Sequence, residues 1–279
     1  MKKVCVIGWP IKHSRSPLIH NYWLRKYDVD AVYEKLAIEP DKAANFISTL
    51  ANSAYIGCNV TIPHKEVAFG AVSSRDQIAR RLGAVNTVYL RDSQVCGTNT
   101  DGEGFLTHLK TKFPEFASPG SKVIVVGAGG AARAIVGALR DANAARIGIR
   151  NRTAERVRDL KVLYGKAIHH IEDSALDESL EDCDLLINTT SLGMENQPPL
   201  ALDIRALNRR AIVADIVYSP LMTPLLRQAE IRGNPILDGL GMLLHQAVRG
   251  FELWFGIRPE VSPELHDLVA ADVRKASSP

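Results

Sequence analysis

A chain of 279 residues with 46% hydrophobic and 23% charged residues has the makeup of a globular protein and the length for one large or two ordinary domains. A net charge of +3, with Lys and Arg spread along the chain, provides neither a basic stripe for nucleic acid nor a cationic face for a membrane surface. No apolar run is long enough to span a bilayer and no secretory leader is evident; the four cysteines (Cys5, Cys58, Cys96, Cys183) lack CxxC pairing, so a reduced, cytoplasmic protein is expected.

Lys3 to Gly8 reads as a strand ended by Trp9-Pro10. Ser16-Pro17 then reads as a helix start, with the Ser16 hydroxyl as N-cap and proline at the first helical position. That leaves Ser14 unexplained, and two hydroxyls ahead of a helix serve equally well to bind a carboxylate. Val32 to Ile38 is a second strand, Pro40 to Leu50 a helix, and Tyr55 to Ile62 a third strand stopped by Pro63. Asn59 and Thr61 share one face of that strand by its period of two. Polar side chains near the carboxyl end of a central strand sit where α/β sheets hold ligands. Lys65 follows in the first turn of a helix, where the dipole disfavours a cation.

Ser74 to Leu82 reads as a helix closed by Gly83. Ala84 to Leu90, which contains Asn86, and Gln94 to Thr98 read as a hairpin around Arg91-Asp92-Ser93. Asp101 by itself reads as the cap of the next helix, which carries Phe105, Leu106, Leu109 and Phe113. Phe116 to Ser121 looks like a linker.

The segment Lys122 to Arg152 is the strongest local signal. Val123-Ile124-Val125-Val126 suits a strand buried on both faces. The turn Gly127-Ala128-Gly129-Gly130-Ala131-Ala132 follows, then a helical segment through Ile135, Leu139 and Ala142, then a strand from Ala145 to Arg150. This is a βαβ unit with the dinucleotide fingerprint in its Gly-x-Gly-x-x-Ala form. Gly127 permits the tight turn, Gly129 admits a pyrophosphate to the backbone, and Ala132 lets helix and strand pack closely. NAD sites usually place a carboxylate at the end of the second strand. Here Asn151-Arg152-Thr153 stands instead, with Arg156 one turn on, a set suited to the 2′-phosphate of NADP. The alternative is Thr153 capping the next helix beside a solvated arginine.

Beyond Arg152 the alternation continues: helix Ala154 to Tyr164, a short strand Ala167 to Ile171, strand Leu185 to Asn188, then Thr189-Thr190-Ser191. Strand Ala211 to Ile216 runs into Val217-Tyr218; helix Pro224 to Arg232 ends at Gly233; strand Ile236 to Asp238 meets Gly239-Leu240-Gly241. Two helices close the chain, Met242 to Phe255 and Pro263 to Lys275, the second capped by Ser262. Leu244, Val248 and Phe251 read as core; Gln246 does not. The histidines His20, His64, His169, His170 and His245 have no metal-ligand spacing, so no metal is expected.

Taken in order, Gly8-Trp9-Pro10-Ile11-Lys12-His13-Ser14-Arg15-Ser16-Pro17, Asn59-Val60-Thr61-Ile62-Pro63-His64-Lys65, Gly83-Ala84-Val85-Asn86-Thr87, Asn99-Thr100-Asp101-Gly102, the glycine turn, Asn151-Arg152-Thr153 and Asp238-Gly239-Leu240-Gly241-Met242-Leu243-Leu244-His245-Gln246-Ala247 resemble the shikimate dehydrogenase family over almost the whole chain. The resemblance implies an α/β protein of two domains. Residues 1–102 and 240–279 would form an N-terminal substrate domain rejoined by the C-terminal helices, and residues 103–239 a doubly wound Rossmann domain for NADP. It implies reversible reduction of 3-dehydroshikimate to shikimate, on the route to chorismate and the aromatic amino acids.

Carried over residue by residue, Lys65 and Asp101 would be the catalytic pair. Ser14 and Ser16 would hold the substrate carboxylate, with Tyr218 nearby. Asn59, Thr61, Asn86, Asp101 and Gln246 would bind ring hydroxyls. NADP would meet Gly127, Ala128, Gly129, Gly130, Ala131, Asn151, Arg152, Thr153 and Arg156, and its nicotinamide end Thr190, Ser191, Val217, Gly239 and Met242. The partners implied are small molecules, with the chain a monomer or homodimer. The rivals are a quinate/shikimate dehydrogenase using NAD, which Arg152 opposes, and a non-catalytic NADP-responsive regulator, which the intact Lys65 and Asp101 oppose.

Overall fold

The computed structural model describes residues 1–116 and 119–276; of the expected linker, positions 117 and 118 lie outside them. The chain packs as two compact units, Met1–Asp101 with Leu244–Val269, and Gly102–Leu243 with the residues from Ala270 on.

In the first unit β1 (Lys2–Gly8) lies between β2 (Ala31–Ala37) and β3 (Tyr55–Val60), all three parallel. Val4, Cys5, Val6 and Ile7 of β1 are buried on both faces, as a central parallel strand requires. The connections are α1 (Ser16–Lys26) and α2 (Pro40–Ser48), and α3 (Lys65–Ala71), β4 (Ser74–Arg75) and α4 (Gln77–Leu82) follow β3. The antiparallel hairpin β5 (Thr87–Arg91) and β6 (Gln94–Thr98) completes a six-stranded sheet of order β2-β1-β3-β5-β6-β4. Its turn places Asp92 and Ser93 at φ 49° and 64°, the left-handed pair whose twist matches that of a hairpin. One core joins Ile47, Leu50, Ala68, Val72 and Ala79 to Cys5, Cys58, Val60, Val88 and Val95.

Three local expectations are corrected here. Ser16 is the first residue of α1 and not its cap. Arg15 is the N-cap, and the Ser14 hydroxyl, two residues upstream, accepts from the Ser16 N–H at 3.3 Å. Residues 74–82 are not one helix: Ser74 and Arg75 pair with Cys96 and Gly97, and the Asp76 carboxylate accepts from the Ala79 N–H at 2.8 Å to start α4. An aspartate stabilises a helix more at its N-cap than inside it, so the helix starts there. Asp101 does not cap the helix α5 (Asp101–Lys112) but opens it; the Asn99 side chain accepts from the Asp101 N–H at 3.1 Å.

The second unit is a parallel sheet of β7 (Lys122–Val126), β8 (Arg146–Arg150), β9 (Ile168–His170), β10 (Leu185–Asn188), β11 (Ile212–Asp215) and β12 (Ile236–Leu237). Its helices are α6 (Gly130–Asp141), α7 (Ala154–Tyr164), the short α8 (Leu176–Glu181), which the sequence pattern did not show, and α9 (Pro224–Arg232). The strand order β12-β11-β10-β7-β8-β9 is that of a doubly wound Rossmann sheet, reversing direction between β7 and β10. Ligands bind such sheets outside the carboxyl ends of the strands at that reversal. The last helices are α10 (Gly239–Phe255) and α11 (Pro263–Ala276). The first of them starts three residues before the expected Met242, because the Asp238 carboxylate accepts from the N–H groups of Leu240 and Gly241 at 3.0 and 3.4 Å.

Candidate active site

In the first unit four of the predicted polar residues, Asn59, Lys65, Asn86 and Asp101, are joined by contacts that run across the sheet. Lys65, the first residue of α3, donates to Asp101 Oδ2 at 2.6 Å. Asn86 donates to Asp101 Oδ1 at 2.8 Å and to the Thr100 hydroxyl at 3.1 Å. The Asn86 carbonyl oxygen in turn accepts from the Thr87 hydroxyl at 2.9 Å and the Thr100 N–H at 3.0 Å. Asn59 donates to the Thr87 hydroxyl at 3.1 Å, and its own oxygen accepts from the Tyr33 hydroxyl at 2.6 Å. Tyr33, Asn59, Thr87, Asn86, Asp101 and Lys65 thus form one polar chain.

The two ends of this chain differ in access. The Asp101 side chain is 5% exposed and that of Lys65 28%. The carboxylate sits at a helix N-terminus, which favours negative charge. The ammonium has three protons, and its bond to Asp101 uses one. A cation held by a buried carboxylate and still open to solvent can hand a proton to a bound oxygen. Below the polar chain lies an aromatic support: the His20 ring stacks on Tyr33 at 4.2 Å and 10°, beside Trp23, Phe251 and Trp254. Burial lowers the His20 pKa to about 3, so it is a neutral packing group, and burial holds the Tyr33 phenol well above its ordinary value. Ser14 is tied to Ser16 as described above, Thr61 continues the end of β3 with its N–H on Ile7 O at 3.0 Å, and Gln246 is half-buried on α10.

In the second unit the glycine turn leaves β7 at its carboxyl end. Gly127 has φ +105°, and a Cβ there would stand 2.8 Å from Thr189 Oγ1 and 2.9 Å from the Thr190 methyl. Gly129 is the N-cap of α6 and supplies no side chain, and the first turn holds no acidic residue. The open N–H groups of Gly130 and Ala131 are those that bind phosphate in such turns. Gly127→Ala is expected to cost about 1–3 kcal/mol of stability, read by denaturant unfolding, because the new residue is strained at that positive φ and its methyl crowds the Thr189 and Thr190 side chains.

A cavity of about 660 Å³ adjoins the turn, lined by Gly127, Asn151, Arg152, Thr153, Arg156 and Thr190 among others. Arg150 is paired with Asp173 at 3.0 Å, whereas Arg152 and Arg156 are exposed and have no partner among the described residues. Thr153 stands at the N-cap of α7 but makes no side-chain cap bond, so the capping alternative is not what the structure adopts. Asn151 donates to Thr153 O at 2.8 Å and holds the loop. Ala128 and Ala131 flank the glycines; Thr190 and exposed Ser191 follow β10; buried Val217 and half-buried Tyr218 follow β11. A Cβ on Gly239 would overlap the Ile216–Val217 backbone, which is why the first turn of α10 starts on a glycine; Met242, one turn on, is 8% exposed.

Some residues of these sites were not singled out from the sequence: Tyr33, Thr87 and Thr100 in the first unit, and Asn188, Asp215 and Thr223 in the second. Asn188 and Asp215 are directly paired in register, and each ends an apolar strand on a polar residue. That shared ending is the signal in the sequence that could have found them.

The comparisons with known proteins agree with this geometry. Residues 6–88 match the shikimate dehydrogenase substrate binding domain, residues 108–196 shikimate/quinate 5-dehydrogenase, and residues 239–263 the shikimate 5′-dehydrogenase C-terminal domain. A shikimate dehydrogenase (NADP(+)) of Methylocella silvestris is 49% identical over 271 residues, covering 97% of this chain and 96% of its own. The crystal structure of Thermus thermophilus shikimate 5-dehydrogenase with NADP(H) and shikimate superposes with a TM-score of 0.86 at 30% identity, over 99% of this chain and 100% of that one. A Corynebacterium glutamicum quinate dehydrogenase with NAD superposes at 0.87 with 26% identity, over 97% and 99%. A Rossmann sheet with its glycine turn, a lysine–aspartate pair in the other unit, and a relative that shares half its residues over nearly full length together lead to one assignment: the chain belongs to the shikimate dehydrogenase family.

Proposed function

We propose that Lys65 and Asp101 are the catalytic pair with which this chain reversibly reduces 3-dehydroshikimate to shikimate, using NADP. The observation that carries the reading is the 2.6 Å contact between a half-open ammonium and a buried carboxylate at the end of a polar chain. NADPH, when bound, supplies hydride to the carbonyl carbon. The carbonyl oxygen then gathers negative charge and takes a proton. Lys65, as ammonium, donates that proton, and in the oxidative direction neutral Lys65 takes it from the hydroxyl. Asp101 holds the lysine in place and accepts from a neighbouring ring hydroxyl, while Asn86 fixes the carboxylate.

Ser14 and Ser16 bind the substrate carboxylate, and Asn59, Thr61, Asn86 and Gln246 bind the ring hydroxyls. A site built from such groups rejects analogues that lack a hydroxyl, because its own polar atoms would be left unpaired. The unit carrying Gly127 binds NADP: the Gly127–Ala131 turn takes the pyrophosphate, and Asn151, Arg152, Thr153 and Arg156 the 2′-phosphate. Thr190, Ser191, Val217, Gly239 and Met242 face the nicotinamide end. Two exposed guanidinium groups with no partner among the described residues, where an NAD site would place a carboxylate, support NADP over NAD.

The enzyme works in the cytoplasm as a monomer or homodimer. All four cysteines are free and buried, in keeping with a reducing compartment. No helix among the described residues is long and apolar enough to cross a membrane.

Mixing the protein with shikimate and NADP and following reduced-nicotinamide absorbance tests the reading. Robust reduction of NADP is expected, with slower turnover on quinate or with NAD. Activity confined to quinate and NAD would transfer the chain to the quinate-type reading, and no turnover with either polyol would leave it a regulator.

A further inference from the structure

The loops after β10 and β11 meet at one buried carboxylate that the reaction does not use. Asp215 is 2% exposed, and Asn188, its register partner on β10, is fully buried. Asp215 Oδ1 accepts from the Asn188 side-chain amide and from the Val217 N–H, each at 3.0 Å, and Oδ2 accepts from the Thr223 hydroxyl at 2.8 Å. Asn188 passes the constraint on. Its oxygen accepts from the Thr190 N–H at 3.0 Å and the Thr190 hydroxyl at 2.7 Å, and its amide also donates to Leu192 O at 3.0 Å. Thr223 in turn accepts from the Leu226 N–H at 3.3 Å and caps α9.

We propose that Asp215 is a positioning residue for the nicotinamide end of the cofactor, locking the loops that carry Thr190 and Val217 into one arrangement. The inference rests on the proposed contacts of Thr190, Ser191 and Val217 with that end of NADP. A buried carboxylate without a cation is costly to keep. Two apolar residues would end β10 and β11 more stably, but they would leave neither loop tied to the other. Burial raises the Asp215 carboxyl to about 6 against the pull of its three donors, so at neutral pH it is ionised and accepts from all three. The groups facing it, Asn188, Thr223 and the Val217 amide, do not titrate, so its charge state is set by burial and these donors.

Asp215→Asn keeps the size of the side chain but turns one acceptor into a donor, so at least one of the three partners loses its bond. Roughly a ten- to hundredfold rise is expected in both the KM and the calorimetric Kd for NADP, the loss typical of a hydrogen bond to a charged group. The KM for shikimate should stay within about twofold. Asn188→Ala, which leaves the carboxylate but removes the bridge to Thr190, should show the same split, and it decides the matter if Asp215→Asn does not fold. A merely structural role would lower the fraction of active enzyme, reducing kcat with both KM values unchanged; that result, or an NADP Kd within twofold of wild type in the folded variants, would overturn the proposal. Because the Kd for NADP is read without turnover, it tests Asp215 even if the wild-type enzyme proves inactive on shikimate, which would count against the proposed function alone.

Discussion

Lys65→Ala should lower kcat by about 10² to 10⁴-fold, the range of general acid–base help, with a much smaller change in the KM for shikimate. Among the described residues the lysine nitrogen bonds one group, Asp101, and its side chain is partly open to solvent, so its removal opens no core cavity. Asp101 keeps its bond to Asn86 at 2.8 Å, so the variant is expected to fold, with a melting temperature below that of wild type because the buried carboxylate loses its cation. Lys65→Arg is the sharper control. It restores positive charge beside Asp101, but a guanidinium does not give up its proton near neutral pH, so turnover should stay low. Recovery of full turnover in the arginine variant would mean that position 65 contributes charge and not a proton.

The second large effect lies at the other ligand. Arg152→Ala should weaken NADP binding by roughly ten- to a hundredfold, the cost of one hydrogen bond to a charged group, and leave the weaker binding of NAD unchanged. Preference for NADP over NAD should fall by the same factor. Arg152 is exposed and has no partner among the described residues, so the substitution removes no hydrogen bond or ion pair seen there. The neighbouring Arg150 cannot substitute, being engaged with Asp173. Arg156 is exposed, has no partner among the described residues, and limits the loss. An unchanged ratio of NADP to NAD affinity in Arg152→Ala would remove the 2′-phosphate from this loop.

Most of the second unit was legible in the sequence because its signals are local. A charge-free β-branched run, a glycine turn and a helix-period segment define β7 and α6, and Ala154–Tyr164 and Pro224–Arg232 carry their own start and stop residues. The fingerprint itself names a ligand class. The first unit was read less well where a polar side chain had two possible uses. Asp76 and Asp101 each looked like ordinary helix residues or caps; one starts a helix that had been drawn too long, and the other is relieved of capping by Asn99. Ser16 is not the cap it reads as for the same reason, since nothing in the order of residues states which oxygen meets which N–H: Arg15 takes the N-cap and Ser14 accepts from the Ser16 N–H. Contacts between distant segments were out of reach altogether. Lys65 and Asp101 are 36 positions apart and Tyr33 and Asn59 are 26 apart, so only the family resemblance could suggest that the first pair meets, and nothing suggested the second. Asn188 and Asp215 escaped because a polar residue at a strand end has an ordinary reading as a turn residue.

If Lys65 and Asp101 work as one unit, their removal cannot be counted twice. The most direct test is the kcat of the Lys65→Ala/Asp101→Asn double variant against each single variant, all with NADP and shikimate at saturation. The double variant is expected to turn over within a few-fold of the slower single variant, since either change already disables the proton donor. Losses that multiply in the double variant would show two residues acting independently, and would contradict the pairing on which the proposed chemistry stands.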